Sequence, residues 1–132
     1  MTVTCREACC SVTPRRTVSE LFERGFRRNR AAPLSIEGAQ FTDVEGNVAS
    51  FSLDVADGQI TGLGFRATTC TTLIAYCELI AETVPGFRLE IASELTAANL
   101  VNALPGVPAL KRGRAMLAIA AFLAALNRAN SE

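Results

Sequence analysis

Cys70 is the residue whose type and setting point most directly to chemistry. Before it, Leu63, Phe65 and Ala67 share one face of an alternating run, while Gly62, Gly64 and Arg66 take the other. After it, Leu73, Ile74, Cys77, Ile80, Ala81 and Val84 recur at helical spacing. The thiol therefore falls at a strand-to-helix junction, among Thr68, Thr69, Thr71 and Thr72, hydroxyl residues that favour helix N-caps. Unpaired backbone N–H groups and the positive end of the helix dipole favour thiolate over thiol there. The competing reading is a small cysteine that only packs, since free cysteines are among the most buried residue types. Exposure of the sulfur, and what stands within hydrogen-bonding reach of it, separates the two.

The other sulfurs carry less. Cys77 lies seven residues on, roughly 10 Å further along the helix axis at a rise of 1.5 Å per residue. That is too far to share a small site with Cys70, so Cys77 reads as core. Cys5, Cys9 and Cys10 form a Cys-x-x-x-Cys-Cys pattern before Pro14, which matches no standard zinc spacing. The chain has no histidine, so Ser-His catalysis and His-ligated zinc are excluded. With no Gly-rich phosphate loop and no convincing carboxylate pair either, an independent enzyme is not expected.

A length of 132 residues suits one domain able to bury a core without disulfides. Thirteen basic and thirteen acidic residues cancel, which argues against nucleic acid as a partner. The longest apolar run, residues 115–126, falls short of the roughly 20 residues that span a bilayer. The first nineteen positions are polar and broken by Arg6, Arg15 and Arg16, so neither a membrane segment nor a leader is read here. The expectation is a cytoplasmic, reducing setting with free or reactive thiols. Arg15, Arg16, Arg24, Arg27, Arg28 and Arg30 crowd one stretch, either a docking surface for an acidic partner or a solvated helix face.

The elements follow from pattern. Residues 1–16 read as a flexible tail and 17–132 as a single domain. Val18, Leu21, Phe22 and Phe26 stripe a short helix capped by Thr17 or Ser19, with Gly25 its weak point. Two strands, Ile36 to Val44 and Val48 to Val55, are joined by Glu45-Gly46-Asn47, and Asp57-Gly58 marks a hairpin into Ile60 through Ala67. Ala49, Phe51, Leu53 and Val55 face a core; Ser50, Ser52 and Asp54 face water. Ser93 caps a helix bearing Ala97, Leu100, Val101 and Leu104. A final helix from about Lys111 to Asn127 carries a stripe of Met116, Ile119, Phe122, Leu123 and Leu126, with Ala115, Ala118, Ala121 and Ala125 between. Its breadth leaves monomer and homodimer both open. The class is α+β: a three-stranded antiparallel meander with helices packed on one face.

Taken in order, these segments resemble the NifU/IscU-type scaffold on which iron-sulfur clusters are assembled. Leu21-Phe-Glu-Arg-Gly-Phe-Arg-Arg-Asn29 looks like that family's N-terminal helix. Glu45-Gly46-Asn47-Val48, followed by Phe51, Leu53 and Val55, resembles the loop and strand that begin with Cys-Gly-Asp. Phe65-Arg-Ala-Thr-Thr-Cys70 leading into Leu73-Ile74-Ala75 looks like the strand ending in Gly-Cys-Gly and its helix. Leu104-Pro105-Gly106-Val107 through Arg114-Ala115-Met116-Leu117-Ala118 is similar to the leucine-proline loop and the helix carrying the last cysteine. The resemblance implies an IscU/SufE-like fold over residues 18 to 128.

That family binds its cluster through three cysteines aided by an aspartate and a histidine or lysine. Here Glu45 and Asn47 stand where the resemblance puts the first cysteine and the aspartate, and Arg114 where it puts the last cysteine; Cys70 alone keeps a cysteine. The implied site is Cys70 as sulfur acceptor or lone thiolate, with Glu45, Asn47, Lys111, Arg112 and Arg114 as binding residues. A single metal would use Cys70 and Glu45. An iron-sulfur cluster or iron is the implied cofactor, or none, because ligands are lost and a cluster wants about four thiolates. Implied partners are a cysteine desulfurase or other assembly proteins, and the alternative role is an interaction module that keeps the fold without the chemistry.

Overall fold

A computed structural model describes residues 17–131, so the expected tail with Cys5, Cys9 and Cys10 lies outside the described residues. In chain order the elements are α1 (Val18–Arg28), β1 (Ile36–Glu37), β2 (Phe41–Thr42), β3 (Val48–Ala56), β4 (Gln59–Ala67), α2 (Thr71–Thr83), α3 (Leu89–Ala92), α4 (Ala97–Ala103) and α5 (Arg114–Ser131). A 3₁₀ turn, Ala109–Lys111, precedes α5. The α+β class holds, with the antiparallel sheet backed by helices.

β3 and β4 pair from Ala49 with Ala67 to Ala56 with Gln59, with one register shift between Asp54 and Val55, and are joined at Asp57 and Gly58, whose φ values of 55° and 76° are the left-handed pair of a tight hairpin turn. With β4 on one edge of β3, β1 and β2 share the other, pairing with Leu53 and Ser52 and with Ala49 and Val48. The expected first strand is thus two short pieces, and the sheet has four strands rather than three. The break falls at Gly38, where α5 presses in: an added Cβ would lie 2.6 Å from the Ala125 backbone. Val44 belongs to the following turn and not to a strand.

Ala49, Phe51, Leu53, Leu63 and Phe65 are buried beneath α2 and α5. On the opposite face the expectation of open water fails for Ser52, only 5% exposed. The connection from α1 to β1 crosses there; Leu34 packs on the bare backbone of Gly62 and Gly64, and its N–H donates to Ser52 Oγ at 2.9 Å.

Thr17, rather than Ser19, caps α1: its hydroxyl accepts from the Glu20 N–H while the Glu20 carboxylate accepts from the Thr17 N–H, both at 3.1 Å. Gly25 is no weak point. It is where α1 crosses α2, with Ile74 Cγ2 only 2.6 Å from where a Cβ would stand, so its missing side chain brings the helices together. Arg24 and Arg28 make ion pairs within the domain. Arg28 forks onto Glu78 at 2.7 and 3.1 Å and donates to the Leu63 carbonyl at 3.0 Å; Arg24 holds Glu82 at 2.5 and 2.9 Å. Burial pushes the Glu78 carboxyl up to about 7; the Arg28 fork opposes the rise and neighbouring Glu82 adds to it.

The last helices differ in their ends. Thr96, not Ser93, caps α4, exchanging hydrogen bonds with Asn99, and Ser93 instead closes α3. α5 begins later than expected, at Arg114, because residues 109–111 form the 3₁₀ turn. Met116, expected in the core stripe, is 69% exposed. The alanines are what seat this helix: Ala115, Ala118, Ala121 and Ala125 are fully buried, and Phe122 meets Phe51 edge-on at 5.7 Å. Among the described residues no helix is long and apolar enough to cross a membrane.

Replacing Gly38 by alanine drives a methyl into the α5 backbone and is expected to cost about 1–3 kcal/mol in urea unfolding. Gly113→Ala, which meets nothing within 4 Å, should stay within about 0.5 kcal/mol of the parent. Equal losses at the two positions would contradict this packing.

Candidate functional site

Cys70 is the N-cap of α2, in extended conformation with φ −127° and ψ 120°, and its carbonyl accepts the Ile74 N–H at 2.9 Å. None of the four neighbouring threonines takes that position. The sulfur is half-buried and makes no capping hydrogen bond as a thiol, yet the Leu73 and Thr72 N–H groups lie where they favour the thiolate. Burial pushes the Cys70 thiol up. It is outweighed by the Leu73 N–H, a hydrogen bond from the Arg114 guanidinium, the Thr72 N–H and the Arg114 charge, so that the thiol ends below its ordinary range. Cys77 is fully buried and its thiol is pushed up instead, an inert core residue as expected.

Arg114 is the cation that reaches this sulfur. Its side chain is 14% exposed, Nη1 pairs with Glu45 Oε1 at 2.6 Å, and its charge favours the Cys70 thiolate. It opens α5, a position where the helix dipole disfavours positive charge. The carboxylate and the sulfur offset that cost. Its Nε is buried without a hydrogen-bond partner.

The Asp43–Asn47 turn presents Glu45. Asp43 Oδ1 accepts the N–H groups of Glu45 and Asn47, both at 2.9 Å, and Oδ2 accepts Asn47 Nδ2 at 3.1 Å. Gly46 takes φ 87° within it. Burial alone would raise the Asp43 carboxyl; the Asn47 side chain, the Asn47 and Glu45 N–H groups and the Arg114 charge hold it below its usual range. Asn47, expected to bind, spends its amide on Asp43 and shapes the turn. Val48 N–H donates to Thr68 Oγ1 at 2.7 Å, fastening the end of the turn to the loop that leads to Cys70.

Of the expected residues, then, Cys70, Glu45 and Arg114 come together, with Asn47 behind them. Lys111 is exposed on the 3₁₀ turn, and Arg112 donates Nε to the Val107 carbonyl at 3.4 Å. Sequence reasoning missed Asp43. Its signal was there: an acidic residue opening a Gly-Asn turn, whose carboxylate bonds the backbone ahead of it.

As a metal or cluster site the set is poor. Among the described residues no group of three or more histidine, cysteine, aspartate or glutamate side chains stands together to hold a metal ion. The Glu45 carboxylate is engaged by a guanidinium, and one thiolate falls well short of the roughly four that a cluster takes.

A family model described as the NifU-like N-terminal domain matches residues 24–131, and the chain belongs to that family. The family is linked to iron-sulfur cluster scaffolds. The chain is also similar to a crystal structure of a nitrogen-fixing NifU-like protein (N-terminal) from Brucella abortus, at 16% identity, covering 84% of this chain and 87% of that one, with a TM-score of 0.48. A second solved structure, a hypothetical protein at 2.3 Å resolution, is 18% identical, covers 86% of this chain and 94% of its own, and gives a TM-score of 0.45. No curated protein matches.

Because Arg114 favours the thiolate and Glu45 competes for Arg114, the two substitutions should act oppositely. With Cys5, Cys9 and Cys10 changed to serine, Arg114→Gln is expected to slow iodoacetamide alkylation of Cys70 at neutral pH by roughly three- to tenfold, and Glu45→Gln to quicken it. Changes in the same direction would refute the arrangement.

Proposed function

We propose that this chain is a divergent scaffold-family protein that handles sulfur for iron-sulfur assembly through Cys70, rather than caging a cluster itself. The observation that supports this most is the half-buried Cys70 sulfur at the N-cap of α2, where the backbone N–H groups and the Arg114 charge favour its thiolate. A thiolate held below its usual range at a helix mouth is a nucleophile suited to sulfane sulfur.

The step is a sulfur transfer. The Cys70 thiolate attacks the outer sulfur of a donor persulfide, R–S–SH; the S–S bond breaks, R–S⁻ leaves, and Cys70 carries the new –S–SH. The donor is oxidised before it arrives, so no other redox partner is needed. A cysteine desulfurase is the class of protein that forms such a persulfide, and the transfer makes this chain an acceptor and not an independent enzyme. On this reading Glu45 and Arg114 are positioning residues, Asn47 shapes the turn, and Lys111 and Arg112 offer positive charge to an anionic partner. A cytoplasmic, reducing setting fits a protein that works through a free thiol.

The alternative is an interaction module that retains the family fold without sulfur chemistry; the shortage of thiol donors among the described residues favours it. Anaerobic incubation with a cysteine desulfurase and cysteine, followed by mass spectrometry of the peptide containing Cys70, decides between them. A mass gain of one sulfur atom, absent from Cys70→Ser, is expected. An unmodified Cys70 under conditions that load a control acceptor would leave the module.

A further inference from the structure

Cys70, Glu45 and Asp43 face one cation, and it belongs to the chain. Arg114 pairs with Glu45 at 2.6 Å, favours the Cys70 thiolate and lowers the Asp43 carboxyl through its charge. We propose that the Arg114 guanidinium is a built-in cation that takes the electrostatic place of a metal ion at this site, occupying the carboxylate that a metal would need and so closing the site to divalent metals.

The argument rests on geometry and charge. A guanidinium spreads its positive charge over a planar fork several ångströms wide, so donors arranged round it stand further apart than the ~2.0–2.5 Å bonds that converge on a metal. This agrees with the absence, among the described residues, of a three-donor metal group although a thiol and two carboxylates share the neighbourhood. Arg114 is also well anchored. It is largely buried, sits at the start of the long helix α5, and cannot lose its proton in any ordinary pH range. An incoming divalent ion would meet a fixed like charge and would have to separate Glu45 from its partner. The three residues that keep the cage in order, Asp43, Gly46 and Asn47, fix the turn and not a metal.

This deepens the sulfur-acceptor reading, because the cation that closes the site to metal is the one that favours the Cys70 thiolate, but its test is separate. Cobalt(II) is titrated anaerobically into the full chain carrying Cys5→Ser, Cys9→Ser and Cys10→Ser, reading the sulfur-to-cobalt charge-transfer absorbance and the rate at which Cys70 is alkylated. With Arg114 present, no band and an alkylation rate unchanged within about twofold are expected. Arg114→Cys removes the cation and adds a soft donor; the band should appear, and cobalt should slow alkylation by roughly tenfold or more, both effects disappearing with Cys70→Ser. Cobalt protection of Cys70 while Arg114 is in place overturns the proposal, as does a folded Arg114→Cys chain that gains no cobalt. The first arm stands whether or not the variant folds. Persulfide loading of Cys70 bears on the sulfur-acceptor reading alone, so either idea can fail without the other.

Discussion

The whole structure depends on burying one helix from every side. From Thr72 to Ala81 every residue of α2 is buried, and the sheet, α1 and α5 are arranged to cover it. Each cover has a local device that permits close approach: Gly25 beneath Ile74, the alanine face of α5, and Gly38 against Ala125. The one charged group inside, Glu78, is tolerated because Arg28 brings a guanidinium to it, and removing one partner of so buried a pair costs far more than a surface ion pair is worth. A helix fixed this firmly has a fixed N-terminus, and that is where Cys70 is displayed.

Around that terminus three separate segments converge. The hairpin β3–β4 delivers Thr68 and the approach to Cys70, the Asp43–Asn47 turn delivers Glu45, and the start of α5 delivers Arg114. Their convergence is electrostatic and needs each sign: α5 would resist a cation at its first residue but for the sulfur and carboxylates facing it. The same contacts that satisfy Arg114 set the state of the thiol, so the chemistry of the site and the packing of α5 are linked through one side chain. The proposed sulfur handling and the proposed refusal of metal both rest on the same ion pair.

Much of the architecture was legible because period and turn chemistry are local. The alternation in β3 and β4, the Asp57-Gly58 turn, and the switch of period at Cys70 were readable without any tertiary knowledge. What could not be read depended on contacts between distant segments. Gly25 looked like a defect until Ile74 stood above it, Ser52 looked solvated until Leu34 crossed its face, and Met116 looked buried until the alanines beside it proved to be the packed side. At the site, the change of period drew Cys70 to notice and family likeness drew Glu45 and Arg114, whereas Asp43 was overlooked because its bonds are to its own turn. Lys111 and Arg112 were grouped with Arg114 by proximity in sequence, but the 3₁₀ turn separates their directions.

The central claim is that the surroundings of Cys70 hold its thiol below the ordinary cysteine range. Following the Cβ chemical shift of isotope-labelled Cys70 through a pH titration measures this directly. A transition clearly below the ordinary cysteine value of about 8.5 is predicted, moving upward in Arg114→Gln. A transition at or above that value, indifferent to Arg114, would contradict the account.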